Sequence, residues 1–118
     1  MALLAALGAT PIQADLDRIA AIDSPAALAA EVGRLSAMNA GGPFGASAGI
    51  DAANPSRLVV TVSQGGTLLP DRDYYLKNDA ASRAIRERYL GYLETVFTLT
   101  SAANPLDRAR GVMALETR

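Results

Sequence analysis

Gln64-Gly65-Gly66-Thr67-Leu68-Leu69-Pro70-Asp71-Arg72-Asp73-Tyr74-Tyr75-Leu76 divides this chain into a part that builds sheet and a part that builds helix. Just before it, Leu58-Val59-Val60-Thr61-Val62 is the only β-branched run in the sequence and reads as a strand. A lone strand leaves its backbone donors and acceptors unpaired, so it needs a partner. The nearest candidate is the stretch from Phe44 to Ile50, returning through Asp51-Ala52-Ala53-Asn54-Pro55-Ser56. Asp and Asn favour such turns by bonding nearby backbone groups. Gly65-Gly66 then reads as a tight turn, because neither G-x-G-x-x-G nor a following Lys-Ser or Lys-Thr makes a phosphate loop of it.

Downstream, Asn78 or Asp79 is placed to cap a long helix reaching about Thr100. Ile85, Tyr89, Tyr92, Val96 and Leu99 recur at spacings of four and three, and Leu90, Leu93 and Phe97 widen the stripe. Asp79 and Arg83 stand in the favourable i, i+4 order. Gly91 costs about 1 kcal/mol relative to Ala inside a helix, which predicts close packing there. A last helix opens at Asn104-Pro105 with Leu106, Val112, Met113 and Leu115, and has no Gly, Asn or Pro to end it. It reads as an interrupted helix.

Upstream, Thr10-Pro11-Ile12-Gln13 has the pattern of a helix start, with Thr10 as cap and Gln13 in the capping-box position. Ile12, Leu16 and Ile19 follow on one face. Ser24-Pro25 starts a second helix with Leu28, Val32, Leu35 and Met38, which Asn39 to Gly42 stop. Met1 to Ala9 has the apolarity of a signal peptide but no basic n-region, and a buried helix end is the better reading. The expected architecture is mainly α: a helical hairpin over 10–39, a β-hairpin region over 43–66, and a short turn plus two helices over 69–118. These 118 residues are expected to form a single unit.

Composition narrows the chemistry. The chain has no His and no Cys. Imidazole- or thiolate-ligated metals, His-dependent nucleophiles and disulfides are therefore excluded. Eleven basic residues against twelve acidic ones leave no basic footprint for nucleic acid. No apolar run reaches the roughly 18 to 20 residues of a membrane span. A carboxylate pair remains open on composition, and Asp71 and Asp73 are the candidates for a small carboxylate-based hydrolase. Residues two apart on a helix point to different sides, however. The favoured reading is that Pro70 begins a short helical turn whose carboxylates satisfy its free N–H groups. Arg83, Arg86 and Arg88, interleaved with Glu87, read as a solvated face. Tyr74, Tyr75, Tyr89 and Tyr92 read as core rings with their hydroxyls at the edge, in preference to a ligand groove. No residue is assigned a catalytic, cofactor-binding or metal-binding role.

Leu69-Pro70-Asp71-Arg72-Asp73-Tyr74-Tyr75-Leu76 after Gln64-Gly65-Gly66 resembles the neprilysin family of zinc metallopeptidases, especially its bacterial members. Phe44-Gly45, Asp51, Asn54-Pro55, Tyr89 and Ala114-Leu115-Glu116 agree in order and spacing, so the resemblance runs from about Pro11 onward. Related bacterial sequences commonly carry Leu-Gly-Leu-Pro where this chain has Thr67-Leu68-Leu69-Pro70. A positive φ at Leu68 would cost about 1 kcal/mol or more.

The resemblance implies that the chain is part of a larger helical lobe in a much longer, mainly helical, two-lobed peptidase. The family's H-E-x-x-H zinc helix, its downstream glutamate and its Asn-Ala-Tyr segment lie elsewhere in such proteins, so no catalytic or metal-binding role carries over. The implied role is non-catalytic: a structural wall restricting access to the active-site cavity. Zinc belongs to the parent enzyme and not to this chain. The resemblance also implies an extracytoplasmic location, periplasmic or secreted. The alternative is a free-standing helical interaction or oligomerisation module without enzymatic activity. On either reading the partners are the remainder of the parent enzyme or a second copy, and the isolated chain is expected to be a homo-oligomer because large apolar patches favour association.

Overall fold

The computed structural model describes residues 7–118. It is mainly helical with one antiparallel hairpin, as expected. A 3₁₀ turn at Thr10–Ile12 leads into α1 (Gln13–Ala20), followed by α2 (Pro25–Ala37), β1 (Phe44–Asp51), β2 (Asn54–Gln64), α3 (Asp73–Leu76), α4 (Ala80–Leu99) and α5 (Pro105–Glu116). The chain forms two compact units, one of Met1–Asp17 with Leu68–Arg118 and the other of Arg18–Thr67. The reading of Met1 to Ala9 as a buried helix end falls largely on residues 1–6, outside the described residues.

In the Arg18–Thr67 unit, Ser24 caps α2 as its sequence suggests, its hydroxyl accepting from Ala27 N at 3.2 Å with Pro25 in the first turn. The helix ends where Asn39 takes φ 57°, a left-handed value that Asn tolerates better than most residues. Glu31 is buried and accepts two 3.0 Å bonds from Arg34 Nε. That guanidinium lowers the Glu31 pKa. The hairpin turns more tightly than its sequence suggests. Asp51 pairs with Asn54, so only Ala52 and Ala53 form the turn, and Asn54-Pro55-Ser56 already belongs to β2. Asp51 Oδ1 accepts from Ala53 N and Asn54 Oδ1 from Ser56 N, the local side-chain bonds that make these residues turn formers.

The glycine pair after β2 answers a steric need. A Cβ at Gly66 would lie 2.9 Å from Pro43 Cα, and the residue has φ +87°. A Cβ at Gly65 would lie 3.0 Å from Gly42 O. Gly65 N donates to Pro43 O at 3.0 Å, so the chain crosses its own path here. Leu68 is not among the residues with positive φ, and the substitution for glycine there carries no left-handed strain.

The other unit is built on α4 and α5. Asp79 caps α4 by accepting from Ser82 N at 2.9 Å and Ser82 Oγ at 2.7 Å, and the Ser82 backbone bond lowers its pKa. The expected Asp79–Arg83 pair is replaced: Arg83 donates to Asn78 O instead. At the chain's start Thr10 makes no side-chain cap bond, Ala9 occupies the cap position, and Gln13 donates to Asp17. Gly91 is exposed, and a Cβ there would meet nothing within 4 Å, so close packing does not explain it. The α4 stripe is covered only in part. Tyr89 is buried, whereas Tyr92 and Leu99 are 54% and 70% exposed. Ala109 of α5, which the apolar spacing of Leu106 and Val112 did not single out, is fully buried.

Candidate functional site

The most connected side-chain cluster joins the Leu69–Leu76 octapeptide to both long helices. Its residues follow from helix geometry. On α5, Ala109, Val112, Met113 and Glu116 stand at i, i+3, i+4 and i+7, so Glu116 lies on the stripe that packs inward. A carboxylate there needs donors. Tyr75 OH donates to Glu116 Oε2 at 2.7 Å, and Tyr89 OH lies 2.9 Å from both carboxylate oxygens. Tyr75 OH also accepts from Leu69 N at 2.9 Å. One carboxylate thus fastens the start of the octapeptide, α3, α4 and α5 together. Tyr89 also stacks on Tyr92, with ring centroids 6.5 Å apart.

The electrostatics agree with a structural tie. Burial first, and the bond to Glu116 second, raise the phenol pKa of Tyr75 and of Tyr89 above the ordinary range. Both hydroxyls therefore remain protonated donors at neutral pH. No buried side-chain nitrogen or oxygen among the described residues lacks a hydrogen-bond partner.

Asp71 and Asp73 do not form an acid/base pair. Asp71 Oδ1 accepts from Asp73 N at 2.8 Å, which organises the first turn of α3. Asp73 Oδ2 meets Lys77 Nζ at 2.7 Å, and this bond lowers the Asp73 pKa. Each carboxylate thus serves the local chain. The helix itself begins at Asp73, three residues later than Pro70, with Arg72 in the cap position and no side-chain bond made from it. The arginine face is also reassigned. Arg86 Nη1 donates to Tyr74 O at 2.6 Å and Lys77 O at 2.8 Å, closing the carbonyl end of α3, so it is not simply solvated.

Of the four tyrosines, Tyr75 and Tyr89 are the ones brought together with Glu116, and sequence reading did not connect them. The available signal was an acid at core spacing on α5, opposite a helix carrying a phenol. Among the described residues no group of three or more His, Cys, Asp or Glu side chains could hold a metal ion. A shallow groove of about 390 Å³ lies between α4 and α5, lined by Leu90, Arg110, Met113, Ala114, Thr117 and Arg118. Its lining carries no acidic side chain. No helix of the described residues is long and apolar enough to cross a membrane.

A family model described as peptidase family M13 matches residues 1–118. Endothelin-converting enzyme-like 1 of Rattus norvegicus is 29% identical over 103 residues, covering 83% of this chain and 13% of that protein. Neprilysin-3 of Drosophila melanogaster is 35% identical over 77 residues, covering 64% of this chain and 10% of that protein. Among solved structures, the Mycobacterium tuberculosis zinc metalloprotease Zmp1 in complex with inhibitor superposes with a TM-score of 0.82 at 29% identity. The match covers 97% of this chain and 18% of Zmp1. The chain therefore spans less than a fifth of the proteins it matches.

Proposed function

This chain belongs to peptidase family M13, and from that premise we propose that it is a non-catalytic helical part of a neprilysin-like zinc metalloendopeptidase. In this reading it forms a structural wall that restricts access to the active-site cavity. The observation that carries the proposal is the Glu116 tie. The residues that mark the family resemblance, the octapeptide, Tyr89 and Glu116, meet in one hydrogen-bond cluster that ties three helices together. A segment with that job needs rigidity and correct placement, not chemistry. Zinc and its ligands are supplied by other parts of the enzyme, and the whole protein acts outside the cytoplasm, in the periplasm or secreted.

A chimera tests this reading. Replacing the matching segment of Zmp1 with residues 1–118 is expected to preserve zinc content and cleavage of a short peptide within a few-fold. The dependence of cleavage on substrate length is expected to change. A folded chimera that keeps its zinc but loses short-peptide cleavage by a hundredfold or more contradicts a purely architectural role.

Exposed apolar surface favours one further reading for the chain by itself. Leu58, Val60, Leu99 and Leu115 are each about 70% exposed or more. Surfaces of this kind mark contacts with other polypeptide. In the parent enzyme that polypeptide is the remainder of the chain. In isolation the chain associates with itself, as a homo-oligomer.

A further inference from the structure

The carbonyl end of α2 holds a sulfur–guanidinium contact. Arg34 Nη1 donates to Met38 Sδ at 3.2 Å. The guanidinium is itself anchored, because its Nε reaches both carboxylate oxygens of buried Glu31 at 3.0 Å. Met38 is anchored through its backbone, its N–H shared between Arg34 O at 3.2 Å and Leu35 O at 3.1 Å. Helical spacing explains the meeting, since Glu31, Arg34 and Met38 stand at i, i+3 and i+7 on one face. Met38 is 54% exposed, so small solutes reach its side chain. The other methionine among the described residues, Met113, is half-buried and lines the groove between α4 and α5.

A thioether sulfur is a weak acceptor for a guanidinium donor, whereas a sulfoxide oxygen is polar. We propose that Met38 is an oxidative modification site that takes one oxygen atom from hydrogen peroxide, with Arg34 as the donor that holds the added oxygen. A sulfur lone pair forms the new S–O bond as the peroxide O–O bond breaks. The leaving hydroxide takes the proton from the transferred oxygen and departs as water, so sulfur loses two electrons and peroxide gains them. Arg34 Nη1 already lies 3.2 Å from the sulfur. An oxygen added at an angle to that line comes within hydrogen-bond reach of the same nitrogen. The weak N–H···S contact thereby becomes a charge-assisted N–H···O bond. Sulfoxide formation ordinarily disrupts packing by making an apolar side chain polar. Here the new oxygen meets a cation fixed by Glu31, and the last turn of α2 keeps its hold. These contacts lie within α2 and its cap residue, and they stand whatever the parent enzyme does.

Hydrogen peroxide treatment of the 118-residue chain, with sulfoxides located by peptide mass spectrometry, tests the site. Met38 is expected to oxidise about fivefold or more faster than Met113. The fraction oxidised at Met38 alone is expected to melt within about 2 °C of the untreated chain, or above it. The Arg34 side-chain N–H resonances are expected to move on oxidation, a readout that needs no variant. In Met38→Leu the same treatment is expected to leave them in place. Oxidation of Met113 as fast as Met38 overturns the site. Arg34 resonances that do not respond, or that respond equally in Met38→Leu, overturn the role of Arg34. A melting temperature that falls further than this on oxidation of Met38 overturns it as well.

Discussion

Tyr89→Ala is expected to destabilise the α4–α5 unit by about 3 to 5 kcal/mol, the range for removing a large aromatic side chain from a packed site. Tyr89 is among the few side chains that are buried among the described residues, at 5% exposure. Losing it removes the ring between α4 and α5, its stack on Tyr92 and both of its contacts with Glu116. Small domains have only about 5 to 15 kcal/mol in total, so the variant should show weak or non-cooperative thermal unfolding by circular dichroism. Tyr89→Phe separates the two contributions. It keeps the ring and removes the hydroxyl, and should cost about 1 to 3 kcal/mol, the range for a hydrogen bond to a charged group. If Phe and Ala cost the same, packing of the ring contributes little and this account of the core is wrong.

Glu116→Ala is the second large effect, expected at about 3 kcal/mol. One carboxylate serves two phenols, so truncating it leaves two donors in buried rings without their acceptor. At about 4 to 8 °C per kcal/mol for a domain of this size, the melting temperature should fall by more than 10 °C. Glu116→Gln retains one carbonyl acceptor and should lose about half as much. Tyr75→Phe with Glu116→Gln should be less costly together than the two changes summed, because one removes and the other weakens the same bond. Strict additivity would show that Tyr75 and Glu116 act independently.

Much of the local structure was legible because it depends on near neighbours. Ser24 and Asp79 cap their helices through bonds to residues three positions on, which a short window of sequence contains. The β-branched run required a partner strand, and Phe44 to Ile50 was the nearby stretch able to supply it. The hairpin turn was placed too widely because Asn54-Pro55 is a strong turn signal in isolation. Two alanines suffice once Asp51 bonds Ala53 N. Thr10 does not cap because it lies inside a 3₁₀ turn whose cap position is Ala9.

What escaped the sequence was tertiary. Glu116 is 41 residues from Tyr75 and 27 from Tyr89, and no local pattern joins them. The family resemblance brought the same residues into view as similar positions without giving the reason they matter together. Gly91 illustrates the opposite error. A residue costly to a helix suggested a close neighbour, yet the surface above it is open. The exposed half of the α4 stripe and the bare apolar face of the hairpin belong to the same lesson. Periodicity identifies which side of an element is apolar, but not what lies against it.

The central claim is that the octapeptide serves architecture through the Tyr75–Glu116–Tyr89 tie. Alkaline titration of tyrosine absorbance at 295 nm, followed together with helical circular dichroism, tests it most directly. Both phenols have raised pKa values in the fold, first through burial and then through Glu116. The stability they contribute is therefore complete below the unfolded value near 10, and is lost as pH rises through the raised folded values. The account predicts that Tyr75 and Tyr89 ionise only above the ordinary phenol range, in step with loss of helix, and that Glu116→Gln brings that transition to lower pH. Ionisation of all four tyrosines near pH 10 with the helices intact, unchanged by Glu116→Gln, would contradict it.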